Sequence, residues 1–302
     1  MHVRLRQIRD FIAVVEAGSI RGAAKTLQVA QPALTKSVRG LEAELQAQLL
    51  RRSPQGVVPT AGGRAFFSRA KAAQSELRKA REELAELSGA EQGSVAFGAG
   101  PLVTSLIVPD AVAAFRAAHP RTRIHIVEGF TRELLPLVRD ETLDFALGPR
   151  FQRSLDAVFK FRPLFRNTLA IVVRKGHSLQ HAQSLSDLAT AEWISVFPGG
   201  AQNPIAVAFS AARLPPPEQL IRCDSFHVAL SLVLKTDGIG ITSRLMLSKA
   251  GLGDRLHEVR VLEPLPGFTV GLFTRSDSPL SRRAGAMAKD IVTAARTLVG
   301  AL

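Results

Sequence analysis

Gln31, Pro32, Ala33, Thr35, Lys36 and Arg39 fall within one short stretch of the chain. They offer an amide, a hydroxyl, two cations and a small apolar surface. Such groups can hydrogen-bond base edges and contact phosphates. They include no acid–base or nucleophile pair, so the chemistry they point to is recognition of a polyanion rather than turnover. A helix has to present them. Leu34, Val38, Leu41 and Leu45 recur at steps of four, three and four. At ~100° per residue they form one stripe that must be buried. Pro32, Lys36 and Arg39 then face the other way. Gln31 and Pro32 open the helix, where proline's missing N–H costs nothing. Glu42 and Glu44 appear only in its second half, so the N-terminal half is the end suited to a polyanion's groove.

The elements that must hold this helix lie on either side. A short helix over 20–27 has Ser19 as its N-cap and small residues, Ala23 and Ala24, for close packing. A longer helix over 5–17 buries Leu5, Ile8, Phe11, Ile12 and Val15 on one face. Three helices packed this way form a helix-turn-helix unit. Arg51 and Arg52 follow, then a Pro/Gly-punctuated hairpin ending at Thr60. Arg39, Arg52 and Thr60 are the expected phosphate contacts. Charge alone is weak support: nine basic and four acidic side chains give residues 1–60 a net +5. An ordinary helical subdomain with a solvated basic face would show the same charge. The spacing, not the charge, favours double-stranded DNA.

Several stretches now resemble the LysR-type transcriptional regulators: Ala23-Ala24, Val29 through Lys36, Leu41-Glu42-Ala43-Glu44-Leu45, Leu49-Leu50-Arg51-Arg52 and Pro59-Thr60-Ala61-Gly62. The likeness in length and layout covers the whole chain. Three positions depart from the family pattern. Ala30 stands where a capping Ser is usual, Gln46 where Gly is usual, and Leu50 where Phe is usual. Loss of a cap is worth ~1 kcal/mol. The resemblance implies an operator with dyad symmetry, bordered by a T and an A.

From 61 to 88 no proline interrupts the chain. Phe66, Ala70, Ala73, Leu77, Ala80, Leu84 and Leu87 alternate steps of four and three, a sustained heptad seam. Charged residues fill the remainder. A second copy of the chain covering this seam fits better than packing on the chain's own body, because the rest of the helix is so polar. The resemblance implies antiparallel pairing of such linker helices in a homodimer, and a dimer of dimers beyond it. RNA polymerase is a further candidate partner. Residues 89–93 read as a hinge.

Across 302 residues the net charge is +13 and the pI near 11.0, again favouring a polyanion. No run of ~18 apolar residues appears, so no membrane partner is expected, and the N-terminus lacks the pattern of a signal peptide. Cys223 is the only cysteine. No intrachain disulfide is possible, which fits the cytoplasm. A bystander thiol is favoured over a redox sensor.

From residue 94 strands and helices alternate, implying an α/β body with a parallel, doubly wound sheet. Strands are expected at 95–97, 123–128, 145–148, 169–173, 193–197, 239–242 and 269–273. Helices are expected at 102–119, 132–139, 206–213, 226–235 and 282–299. Two similar halves imply two lobes with a cleft between them. The resemblance implies a two-lobed, periplasmic-binding-protein-like effector domain. The fold class is therefore that α/β domain joined by a long linker helix to an N-terminal all-α winged helix-turn-helix. The divisions are 1–60, 61–88 and 89–302, with lobe I at 93–162 and 267–302 and lobe II at 163–266. The chain crosses between lobes near Arg162 and Pro266.

Ligands in such sheets sit beyond strand carboxyl ends, often on helix N-termini. That rule selects Gly100, Pro101, Leu102, Thr104, Gly129, Phe130, Phe197, Pro198, Gly200, Asn203 and Ser225. Gly100 and Leu102 replace positions that are often polar in the family. The expected effector is a small organic anion with an apolar body, its charge on N–H groups at 102–104. No catalytic motif, cofactor-binding loop or metal-spaced Cys/His set occurs. Two rival readings remain: an enzyme on an α/β body with a basic appendage, and a small-molecule carrier whose N-terminal domain reads nothing.

Overall fold

The computed structural model describes residues 3–53, 56–87, 93–150, 155–197 and 203–300, without the side chains of 52, 82, 83 and 85–87. The head consists of α1 (Leu5–Ala17), α2 (Ile20–Leu27), α3 (Gln31–Leu45) and a hairpin of β1 (Leu50–Ser53) and β2 (Gly56–Pro59). Leu34, Val38 and Leu41 of α3 are buried against Phe11, Ile12 and Val14 of α1, with Ala23 and Ala24 between. The stripe read from the sequence therefore sets the packing. One member of the α1 stripe differs: Leu5 is 57% exposed and Val14 takes a place inside. Leu5 occupies the first turn, where the helix has begun but the core has not. Ser19 caps α2, accepting from the Gly22 N–H at 3.0 Å. α3 starts at Ala30 with no side-chain cap.

α4 (Ala61–Leu87) leaves the head as one helix. Its heptad stripe divides along its length. Phe66 and Ala70 belong to the head's own core, with the Phe66 ring 5.5 Å from Phe11. They are not free for an intermolecular seam, because α1 already covers them. Ala73, Leu77, Ala80 and Leu84 are exposed in the single chain; the Leu87 side chain lies outside the described residues. A third face of α4 meets the chain's own body. Ser68 donates to Asp140 at 2.7 Å, Arg78 to Asp144 at 3.1 Å, and Lys79 to Glu141 at 3.0 Å. The exposed part of the stripe thus begins later along the helix than its spacing predicts, and a polar face of the same helix docks on the body.

The body opens with β3 (Ser94–Ala99), α5 (Pro101–Leu106), α6 (Val108–Ala118), β4 (Arg123–Glu128), α7 (Thr131–Arg139) and β5 (Phe145–Arg150). The helix expected over 102–119 is broken at Ile107, where Pro109 enters the first turn of α6. β6 (Phe159–Arg174) leads to β7 (Trp193–Ser195), α8 (Pro204–Ala211), β8 (Leu220–Arg222), α9 (Phe226–Lys235), β9 (Ile239–Ser243), α10 (Arg244–Lys249) and β10 (Leu256–Val259). β11 (Gly267–Arg275) and α11 (Arg282–Gly300) close the described chain.

The sheet is mixed, not parallel throughout. Its order is β4-β3-β5-β11-β6-β9-β7-β8, with β10 also on β6. β3 pairs in parallel with β4 and β5, and β7 with β8 and β9. β6 and β11 are antiparallel to each other and to their other neighbours. The sequence hides this because β6 begins well before its apolar run, in a stretch holding Pro163 and several charges. β6 pairs with β11 through Thr168, then with β9 from Leu169. The first crossing between lobes is therefore at 168–169; Arg162, the position expected for it, pairs with Leu272 inside lobe I. The return crossing is at Pro266, whose carbonyl accepts from the Leu169 N–H at 3.4 Å. No described helix is long and apolar enough to cross a membrane.

Candidate nucleic-acid interface and interlobe cleft

Burial of the leucine stripe leaves Gln31, Pro32, Ala33, Lys36 and Arg39 exposed. Gln31, Pro32, Thr35, Lys36, Arg39 and Gly40 line one open groove along α3. Ala33 is exposed beside it. The Thr35 hydroxyl donates to the Gln31 carbonyl at 3.0 Å, so it offers lone pairs rather than a proton. Not every basic residue of the head adds to this face. Arg9 and Arg6 lie 2.7 and 3.8 Å from the buried Asp10 carboxylate, which they neutralise.

The hairpin is fixed to the helices from two sides. The Glu42 carboxylate accepts from the Leu49 and Leu50 N–H groups at 2.8 and 3.0 Å. Val57 donates to the Gly18 carbonyl at 2.8 Å. Glu42, read in the sequence only as an acid kept away from the groove, holds the hairpin in register with α3. Arg51 is exposed on it, while nothing is described of the Arg52 side chain. Thr60 differs from its expected part. Its hydroxyl donates to the Gln48 carbonyl at 2.8 Å and accepts from the Gly63 N–H at 2.9 Å. Its single proton is taken, so it caps α4 and has none for a phosphate.

A second concavity lies between the lobes and holds about 80 Å3. It gathers Gly100, Pro101, Leu102, Phe130 and Phe197 from the expected set. The Phe130 and Phe197 rings face each other across the lobes at 6.1 Å. Other expected residues are engaged elsewhere. The Thr104 hydroxyl donates to Glu128 at 2.5 Å, and the Gly129 N–H to the Ala99 carbonyl at 3.2 Å. Asn203 and Ser225 cap α8 and α9, accepting from the Ile205 and Val228 N–H groups. Pro198 and Gly200 lie outside the described residues. The lining missed by the sequence includes Leu169, Ile241, Met246 and Phe268. Nothing in periodicity separates such residues from ordinary core.

Two of the three N–H groups expected to seat an anion at 102–104 are engaged within the first turn of α5. Pro101 has no N–H, and the Val103 and Thr104 N–H groups both donate to the Gly100 carbonyl, at 2.8 and 3.0 Å. Across the cleft mouth, Glu128 of β4 stands 3.8 Å from the His227 ring of α9.

Comparison with known proteins agrees with this architecture. Residues 5–64 match the model of the bacterial regulatory helix-turn-helix protein of the lysR family, and residues 88–296 match the LysR substrate binding domain. The chain is 30% identical over 295 residues to the SDS degradation transcriptional activation protein of a Pseudomonas species, covering 94% of each. It is 30% identical over 292 residues to the transcriptional regulator GbpR of Azospirillum brasilense, covering 92% of this chain and 83% of that one. Among solved structures it resembles a full-length OxyR variant from Pseudomonas aeruginosa, with a TM-score of 0.69 at 18% identity over 98% of this chain and 95% of that one. It also resembles full-length CbnR complexed with its target DNA, with a TM-score of 0.63 at 21% identity over 96% and 99%. At these identities the structural likeness is one of fold.

Proposed function

This chain belongs to the LysR family of DNA-binding transcriptional regulators with an effector-binding domain, and we propose that it reads a dyad operator through paired copies of α3 under the control of a small organic molecule held between the lobes. The observation that carries the reading is the split of α3 into a buried leucine stripe and an exposed groove of amide, hydroxyl and cations. Gln31 and Thr35 meet base edges there, while Lys36, Arg39 and the hairpin arginines hold phosphates. The exposed part of the α4 stripe, Ala73 to Leu84, pairs two chains so that two heads meet two half-sites, and two such dimers make the full assembly. The effector cavity joins both lobes, so ligand binding biases the lobe angle only if the ligand prefers one state. The relatives are transcriptional regulators, which is the reading taken for this chain. The chain's place is with the chromosome, in the cytoplasm, where RNA polymerase is its further partner.

The test is a binding comparison on the DNA upstream of the chain's own gene. Gln31→Ala should weaken specific binding by ~1–3 kcal/mol and leave random DNA nearly unchanged. Equal losses on both would show that Gln31 positions the backbone and reads nothing.

A further inference from the structure

The cavity between the lobes has an unusual chemistry for a chain of net charge +13. No Arg, Lys or His is among its described lining residues, which are mainly Leu, Ile, Val, Met and Phe side chains. Residues 198–202, outside the described set, contain no cation either. Arg150 follows the lining residue Pro149, but its guanidinium lies over the Phe161 ring at 5.2 Å. Several backbone donors of the first lobe are occupied as well. Val103 and Thr104 bond to Gly100, Gly129 to Ala99, and the Phe130 N–H to Glu133 at 3.0 Å. Near the mouth stand the Glu128 carboxylate, with His227 beside it, and the Arg132 guanidinium over the Phe130 ring at 5.6 Å, which is already paired with Glu133 at 3.0 Å. A carboxylate or sulfonate entering here would lose its water and meet no cation among the described lining residues, a large penalty for an ion.

One polar feature stands out. Thr242, near the end of β9, lines the cavity and is 5% exposed. Its hydroxyl oxygen is buried without a hydrogen-bond partner. Buried hydroxyls in folded proteins are nearly always satisfied, and an exception calls for an explanation. A ligand that brings one hydrogen-bonding group supplies the missing partner.

We infer that the effector is an uncharged, predominantly apolar small molecule bearing a single hydrogen-bonding group that pairs with Thr242. The inference rests on the cleft being the effector site and names the ligand class that site takes. An apolar void of about 150 Å3 is enough for benzene. The 80 Å3 found here takes a slim aliphatic chain as it stands and a ring once the lobes part. Phe130 on one lobe and Phe197 and Phe226 on the other then close over the apolar body.

The experiment is calorimetric titration of the full-length protein with two matched pairs, 1-pentanol against pentanoate and benzyl alcohol against benzoate. In each pair the alcohol should bind about tenfold more tightly or better. Thr242→Val, which keeps shape and removes the hydroxyl, should weaken the alcohol about 3- to 10-fold and raise the thermal midpoint of the ligand-free protein. Leu102→Arg, which places a cation in the cleft, should reverse the preference towards the carboxylate. Tighter binding of the carboxylate to the unaltered protein would overturn the ligand class while leaving the cleft in place. Binding indifferent to both substitutions would put the site elsewhere and overturn the cleft reading itself. Absence of saturable binding by all four probes would overturn the inference.

Discussion

The exposed face of α3 and the cavity between the lobes are built from opposite materials. The helix face is polar, cationic and open, and its residues come from a single stretch of the chain. The cavity is apolar and recessed, and its walls come from α5, α9, α10, β5, β6, β9, β11 and loops that precede helices. A surface that meets a polyanion gains from charge that stays hydrated until contact. An apolar cavity gains from removing apolar area from water, ~25 cal/mol per Å2, and an unpaired charge would cancel that gain. The difference also decides how each region can fail. The first loses affinity charge by charge and depends on salt, whereas the second loses shape.

The comparison breaks most completely if the heads are separated. Leu77 and Leu84 are 42% and 65% exposed in the single chain. Replacing both by Glu, Leu77→Glu with Leu84→Glu, should release monomers and remove the gain from joining two heads, about 100- to 10,000-fold in operator affinity. The cavity should keep its ligand affinity, since α4 is not among its walls. Sedimentation checks the first outcome and titration the second. A double variant that stays dimeric would mean that other surfaces hold the copies together.

The same contrast explains what the sequence alone makes legible. The α3 face follows from four leucine-type positions on a local period, and the polar residues opposite them are conspicuous. The stripe on α4 is equally plain, yet spacing cannot say which part of a stripe its own chain covers; Phe66 and Ala70 go to the head because Phe11 reaches them. Cavity walls such as Ile241 and Phe268 carry no local mark, because a strand residue facing a void and one facing core are the same residue type. The N-terminal half of β6 is hidden for another reason. Lys160, Arg162, Pro163 and Arg166 break the apolar run, and pairing with β11 overrides that composition.

A smaller effect concerns the joint between the two regions. Lys79 of α4 donates to Glu141 at 3.0 Å, to Glu76 at 2.8 Å and to Ser278 at 2.6 Å. The Glu141 side chain is 6% exposed, with Arg275 3.5 Å away. Removing one partner of a buried pair typically costs ~3–5 kcal/mol; with Arg275 remaining, Lys79→Met should cost about 2–3 kcal/mol. The hydrogen bond from Lys79 also holds the Glu76 carboxyl below its usual 4.5, burial opposing it and Ser278 assisting. A depressed carboxyl contributes stability above its unfolded value and loses it as the pH falls through the folded one. Chemical denaturation from neutral pH down to about pH 3 should therefore show an acid-side loss in the parent that is reduced in Lys79→Met. Unchanged stability at neutral pH would mean that the docking of α4 on the body is energetically idle.

The smallest effect tests the head alone. α3 ends at Gln46 in the left-handed conformation, φ 50° and ψ 36°, with its N–H on the Ala43 and Glu42 carbonyls. Glycine fits that position because it has no Cβ to crowd the following carbonyl, and for other L-residues the conformation costs ~1–2 kcal/mol. Part of the gain from glycine is returned through the greater freedom of the unfolded chain, ~0.5–1 kcal/mol. Gln46→Gly should therefore stabilise the head by about 0.5–1 kcal/mol. Because Gln46 lies at the far end of α3 from Gln31 and Lys36, DNA discrimination should not change, and neither should ligand binding in the cleft. Hydrogen exchange resolves the outcome by region, with slower exchange expected in α3 and no change in β9. If α3 exchanges no more slowly, the Gln46 side chain itself must offset the backbone strain.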